Sequence, residues 1–148
     1  MIGKLSAFLL MMAAMLATDT LARAQLPAPP TDPSQRQVYL VKQDQSDCTN
    51  SDVANADSPL VAGNVWVTRS NDGHTGIKVA ITAKPRTTYH FFLKCVRKLA
   101  EITTDDEGVA NVSLSVPTST TGDSFAFDMY PEGAPLGNKF QSAHVSFK

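Results

Sequence analysis

Residues 87–117 read TTYHFFLKCVRKLAEITTDDEGVANVSLSVP, and this stretch decides the fold. Apolar side chains recur at every second position at both of its ends: Tyr89 and Phe91 share one face of the first run, and Val112 and Leu114 share one face of the last. A period of two is typical of β-strands, whereas an amphipathic helix has a period of 3.6. The stretch therefore predicts three successive antiparallel strands.

The turn before the third strand is also indicated by its residue types. Residues 105–108 read DDEG, in which the acidic residues favour a turn and Gly108 can adopt the positive φ of a type I turn followed by a bulge. Similar alternation recurs elsewhere along the chain. It occurs in residues 37–42, 60–70, 75–83, 124–130 and 140–147. The sequence therefore predicts one all-β domain of about seven or eight strands over residues 37–148.

The first 24 residues have the pattern of a signal peptide. Lys4 precedes an apolar run over residues 5–16, and residues 22–24 read ARA, so we expect cleavage before Gln25. The apolar run is too short to anchor the chain in a bilayer, although an uncleaved anchor is the alternative. We expect a periplasmic or secreted protein with no membrane anchor after cleavage.

Residues 25–36 contain four prolines and predict a disordered, extended tether, with a proline-rich docking ligand as the alternative. The whole chain carries 13 basic and 14 acidic side chains, a net charge of −1. No basic patch stands out in the sequence, so we expect no nucleic-acid partner.

The chain has two cysteines, Cys48 and Cys95. In an exported protein such a pair predicts a disulfide, which would stabilise the fold by about 4 kcal/mol in the chain-entropy model. Two separate buried thiols are the alternative. Cys48 lies within residues 43–58, a polar stretch that predicts a long loop.

Four acidic residues of this loop are candidates for a binding surface. They are Asp44, Asp47, Asp52 and Asp57. Carboxylates are calcium ligands, but their spacing matches no EF-hand pattern, so we expect a solvated loop and no metal site.

Residues 83–89 read AKPRTTY. This segment resembles the L-x-P-x-T-x-Y segment of fibronectin type III and related immunoglobulin-like domains, including small exported bacterial ones. The resemblance covers about residues 60–117. It implies a two-sheet antiparallel sandwich in which Tyr89 is a structural tyrosine corner whose hydroxyl bonds to the backbone a few residues upstream. A resemblance at the level of the fold does not indicate a catalytic or binding activity.

Trp66 and Phe92 face away from their aliphatic neighbours along their strands. Outward-facing aromatic side chains can mark a surface that binds a protein or a glycan, so both are candidates for the binding surface. The alternative is that a loop covers them. Lys94, Arg97 and Lys98 predict a solvated basic turn.

The three histidines, His74, His90 and His144, fall in a turn or on outward faces, and no catalytic motif surrounds them. We therefore expect no catalytic residue, no metal and no cofactor. The sequence favours a non-enzymatic binding or structural module of the cell envelope with an unknown protein or glycan partner. The alternatives are a surface-fibre subunit that assembles by strand addition through residues 140–147 and a metal-binding protein.

The signal pattern predicts a mature protein that begins at Gln25. N-terminal sequencing or intact mass measurement of the exported protein tests this expectation. A chain that retains Lys4 and the apolar run would contradict it and support an anchored form.

Overall fold

The computed structural model describes residues 32–44, residue 48 and residues 61–148. The described part contains ten strands and one short helix. These are β1 (Gln35–Lys42), β2 (Val61–Arg69), β3 (His74–Thr82), β4 (Thr88–Leu93), β5 (Arg97–Thr103), β6 (Val109–Pro117), α1 (Thr118–Thr121), β7 (Ser124–Phe125), β8 (Phe127–Pro131), β9 (Phe140–Ser142) and β10 (Val145–Ser146). The predicted tether, residues 25–36, lies mostly outside the described residues, as do the predicted signal peptide and most of the polar loop.

Eight strands form one antiparallel sheet in the order β5-β4-β8-β9-β1-β2-β3-β6, and β7 pairs with β10 in a second, small sheet. The large sheet curves until it is nearly barrel-shaped. The prediction of an all-β, antiparallel fold is confirmed. A division into two main sheets is not evident, because β9 pairs with β8 on one side and β1 on the other and so joins the two halves.

The core lies on the concave face of this sheet. Alternate residues of neighbouring strands fill it, as the period of two predicts. The most deeply buried apolar side chains include Leu40, Val65, Val67, Ile77, Val79, Tyr89, Phe91, Leu93, Ile102, Phe127 and Met129. Phe91 and Phe127 stack with their ring centroids 5.0 Å apart.

The three strands predicted over residues 87–117 are confirmed as β4, β5 and β6. Gly108 has a φ of 83°, as the turn requires, and its Cα faces the Ala83 carbonyl so closely that a Cβ there would clash with the oxygen. Asp105 closes the same turn, since its Oδ1 accepts hydrogen bonds from the amides of Glu107 and Val109.

The two last predicted strands are each divided in two. Residues 124–130 break at Ala126 into β7 and β8, and residues 140–147 break after Ser142 into β9 and β10. Ser142 lies between the two breaks: its Oγ accepts a hydrogen bond from the Phe127 amide and donates one to the Ala143 carbonyl. These side-chain hydrogen bonds replace ladder hydrogen bonds. The chain can therefore leave the large sheet while its buried backbone groups keep hydrogen-bond partners.

The division of the last strand bears on the strand-addition hypothesis. Because β9 lies between β8 and β1, residues 140–142 offer no free edge within the described residues, and β10 pairs with β7 outside the large sheet. The ends of the large sheet are instead β5 and β6.

Tyr89 is fully buried at the start of β4. Its hydroxyl accepts a hydrogen bond from the Lys84 amide at 3.1 Å and donates one to Asn138 Oδ1 at 2.7 Å. The first contact is of the kind that the resemblance implies, and the second ties the β3–β4 connection to the segment before β9. One hydroxyl therefore fixes two loops that are far apart in the sequence.

We predict that Tyr89→Phe lowers the free energy of unfolding by about 1 kcal/mol, because it removes two part-buried hydrogen bonds, from the Lys84 amide and to the Asn138 side chain. Urea denaturation with the disulfide intact measures this change. Tyr39→Phe is the matched control, since the Tyr39 hydroxyl makes no hydrogen bond within the described residues. Equal effects of the two substitutions would contradict the role of the Tyr89 hydroxyl.

Candidate functional site

The structure places the predicted surface aromatics on the convex face of the sheet but not together. Phe92 is on β4 and Trp66 is on β2, and three strands lie between them. Both side chains are half-buried. They therefore belong to two separate surfaces, each of which has its own neighbours.

Phe92 forms one wall of a cleft of about 340 Å³. Tyr130 of β8 stacks on it, with ring centroids 4.8 Å apart and ring planes 20° apart. The disulfide-bonded residues Cys48 and Cys95 line the cleft, together with Val96, Arg97 and Asp128. Aromatic, acidic and basic side chains thus meet in one concavity.

Asp128 is the polar group of this cleft whose hydrogen bonding the fold leaves incomplete. The residue lies on β8 opposite Phe92 of β4 and Gln141 of β9, and it is only 7% exposed. Its Oδ1 has no hydrogen-bond partner within the described residues. Burial raises the pKa of the Asp128 carboxyl to about 6, and the positive charge of Lys94 opposes this rise.

Lys94 departs from the sequence prediction. It was expected in a solvated basic turn, but the residue is only 8% exposed, and its Nζ donates a hydrogen bond to Gln141 Oε1 at 2.9 Å. Arg97 and Lys98 are exposed, as predicted. Alternation along β4 correctly assigns Lys94 to the face of Phe92. The sequence pattern gives no sign that this part of the convex face is covered.

The predicted disulfide between Cys48 and Cys95 is confirmed, with the Cα atoms 5.6 Å apart. Cys95 lies in the turn between β4 and β5, where its φ is +59°. The bond therefore holds residue 48 at the mouth of the cleft, next to Val96, which is 64% exposed.

His90 continues the same row of aromatic side chains. Its ring meets that of Phe92 edge-on at 6.2 Å. The two ring nitrogens lie near carboxylates on either side, with Nε2 3.7 Å from Glu101 Oε1 and Nδ1 3.8 Å from Glu132 Oε2. His74 and His144 are exposed and lie elsewhere.

Trp66 lies on a different, shallow groove of about 430 Å³ with Gln35, Lys78 and Ser113. The Lys78 ammonium is 5.8 Å from the centre of its ring. This distance suits a cation–π contact within the chain. The groove offers no buried polar atom that lacks a partner among the described residues, so we do not assign it the same role as the cleft.

One of the four acidic candidates can be placed. Asp44 Oδ1 accepts a hydrogen bond from the Gly137 amide at 2.6 Å, so this carboxylate joins the end of β1 to the loop before β9. Asp47, Asp52 and Asp57 lie outside the described residues.

Tyr130 adds a neutral hydroxyl to the cleft. Burial, and to a lesser degree the negative charge of Asp128, raise the pKa of its phenol above the usual value, so the group stays protonated at neutral pH. The cleft therefore combines a buried acceptor, a phenol, a guanidinium and an aromatic wall. Sequence reasoning found Phe92 but missed Asp128, Tyr130 and Lys94, although all three follow the alternation of their strands.

No helix among the described residues has the length and apolar character needed to cross a membrane. No protein-family model and no curated protein matches the chain.

The raised pKa of Asp128 predicts a pH-dependent stability. Below the ordinary aspartate pKa of 3.8 the carboxyl is protonated in both the folded and the unfolded state. As the pH rises from there to about 6, the unfolded state ionises more readily than the folded one, so the folded state loses stability. We expect Asp128→Asn to remove this loss and to raise the free energy of unfolding at pH 7 by up to about 3 kcal/mol.

Urea midpoints at several pH values between 4 and 7 measure the effect, with Asp106→Asn as the control at an exposed carboxylate. The same pH dependence in the wild type and in Asp128→Asn would contradict the prediction.

Proposed function

We propose that this protein is an exported, non-enzymatic binding module of the cell envelope and that the cleft beside the disulfide binds a carbohydrate. The observation that carries the proposal is Asp128 Oδ1, a buried carboxylate oxygen that lines a cleft and has no partner within the described residues.

A buried acceptor without a donor costs about 1–3 kcal/mol, so folds rarely keep one without compensation. A ligand that donates a hydrogen bond to Asp128 recovers this energy when it binds. The cleft volume falls in the range of sites for small ligands, or for one unit of a larger chain.

The other groups of the cleft point to the ligand class. Asp128 accepts hydrogen bonds and Arg97 donates them, so the cleft pairs one negative with one positive side chain and favours a neutral ligand. The Phe92 and Tyr130 rings add an apolar wall. A sugar ring matches this combination, because its hydroxyls both donate and accept while its C–H groups pack against aromatic rings.

We propose binding rather than hydrolysis of this ligand. Enzymes that cleave glycosidic bonds generally use a pair of carboxyl groups on either side of the bond. Of the described residues that line the cleft, Asp128 alone carries a carboxyl group.

The proposal also covers the fold family of the domain and its cellular compartment. The Tyr89 to Lys84 contact supports a curved relative of the immunoglobulin-like and fibronectin type III-like sandwich. The disulfide and the signal pattern of the first 24 residues support a periplasmic or secreted protein.

Titration with a panel of neutral oligosaccharides and envelope polysaccharides, followed by NMR of the backbone amides, tests the proposal. We expect the amide signals of Phe92, Arg97 and Tyr130 to shift. Asp128→Asn should weaken binding roughly tenfold, because a neutral amide oxygen replaces a charged acceptor. Tyr130→Ala should weaken it by at least as much through the loss of stacking.

Trp66→Ala is the matched control, since it removes an aromatic side chain outside the cleft. Asp128→Asn is expected to be more stable than the wild type at pH 7, so its loss of affinity would not reflect unfolding. Absence of binding to any sugar of the panel would overturn the proposed ligand class. Binding that Trp66→Ala abolishes and Asp128→Asn leaves intact would overturn the proposed site.

A further inference from the structure

The large sheet ends in β6, whose outer edge carries no ladder within the described residues. β6 pairs with β3 along its whole length, from Val109 opposite Thr82 to Pro117 opposite His74. On the other side no described strand pairs with β6, because β5, the opposite end of the strand order, approaches it without forming a ladder. A strand edge of nine residues is long enough to accept a further strand.

The backbone groups of β6 that face outward follow from the hydrogen bonds at its two ends. The Ala83 amide donates to the Gly108 carbonyl, and the Thr118 amide donates to the Gly73 carbonyl, both at 2.8 Å. Even-numbered residues therefore direct their backbone groups to β3, and odd-numbered ones direct them away.

Three residues present both an amide and a carbonyl on the free edge. They are Asn111, Ser113 and Ser115. Val109 also points outward, but its amide and carbonyl are taken by Asp105 in the preceding turn. Pro117 has no amide to offer.

From Val109 to Val116 this edge lacks the features by which proteins keep identical edges apart. Exposed strands are commonly protected by charged side chains, prolines within the strand or bulges. The chain carries no charged residue between Glu107 and Asp123, and the β3–β6 register is continuous. β5, at the other end of the same sheet, carries exposed Arg97, Lys98 and Glu101.

The side chains of β6 are complementary to a second copy of β6. Its exposed positions between the two ends, Asn111, Ser113 and Ser115, are polar and neutral, and its apolar residues Ala110, Val112, Leu114 and Val116 are only partly buried against the core. In an antiparallel pair centred on Ser113, Asn111 lies opposite Ser115, Val112 opposite Leu114, and Ala110 opposite Val116. Every polar residue then meets a polar one, and every apolar residue an apolar one.

We propose that two copies of this protein associate through their β6 strands, antiparallel and with Ser113 opposite Ser113, so that one sheet continues across the dimer. The arrangement has the twofold symmetry that is commonest in homodimers. Each strand contributes the amides and carbonyls of Asn111, Ser113 and Ser115. The inference is independent of the cleft, which lies on β4 and β8.

Sedimentation analysis of the purified protein from about 1 µM to about 1 mM tests the association. We expect a monomer–dimer equilibrium in the wild type. Ser113→Lys should weaken it at least tenfold, because it places two like charges opposite each other at the axis. Thr103→Lys adds the same charge to the exposed edge strand β5 and should leave the equilibrium unchanged.

Single cysteines test the register. In the proposed pair the two Ser113 Cα atoms are about 5.5 Å apart, which suits a disulfide, so mild oxidation of Ser113→Cys should give a covalent dimer on a non-reducing gel. Ser115→Cys is the matched control, since its two copies lie about 13 Å apart along the strands.

A wild type that remains monomeric over the whole concentration range would overturn the proposal. So would a dimer that Ser113→Lys leaves intact or that Thr103→Lys weakens equally. Cross-linking of Ser115→Cys as efficient as that of Ser113→Cys would overturn the register. Urea denaturation of each variant establishes that it is folded.

Discussion

The double pairing of β9 is the constraint on which the rest of the structure depends. Its three residues, Phe140–Ser142, are all buried, and buried backbone amides and carbonyls need hydrogen-bond partners. β8 and β1 supply these partners from either side. One short strand thereby joins two groups of strands into a single curved sheet, and the Ser142 hydroxyl completes the bonds where the chain leaves it.

The same strand organises the polar groups of the convex face. Gln141 points away from the core, and its Oε1 accepts a hydrogen bond from the buried Lys94 ammonium. Asp128 sits beside Gln141 in the ladder, in the same desolvated layer. Buried charges contribute little net stability because their desolvation is costly, so Lys94 and Asp128 add little to the stability of this layer. The stacked rings of Phe92 and Tyr130 then give this layer an apolar wall.

The two ends of the sheet differ in a way that the fold class does not require. β5 carries three exposed charged residues, whereas β6 is neutral from end to end. An open sheet must expose two edges, and a chain that protects only one of them leaves the other available for a partner strand. The cleft and the β6 edge are therefore separate surfaces, one proposed to bind a sugar and the other proposed to pair with a second copy.

Much of the fold could be predicted from the alternation of side chains. The three strands of residues 87–117, the turn at Gly108 and the inward faces of Tyr89 and Phe91 follow from local patterns, because a strand has two faces and a turn needs particular backbone angles. The breaks at Ala126 and after Ser142 could not be predicted, since the hydrogen bond beside them joins the Phe127 amide to a serine 15 residues away.

The sequence by itself determined the all-β class, the strand faces and which disulfide is possible, since two cysteines allow only the Cys48–Cys95 pairing. Only the tertiary structure decided that Lys94 and Asp128 are buried, that Phe92 meets Tyr130, that Trp66 stands apart, and that the uncharged end strand of the large sheet is β6. The physical reason is that alternation reports which side of a strand a residue occupies. What covers that side, and which strand lies next to it, is decided by segments distant in the chain.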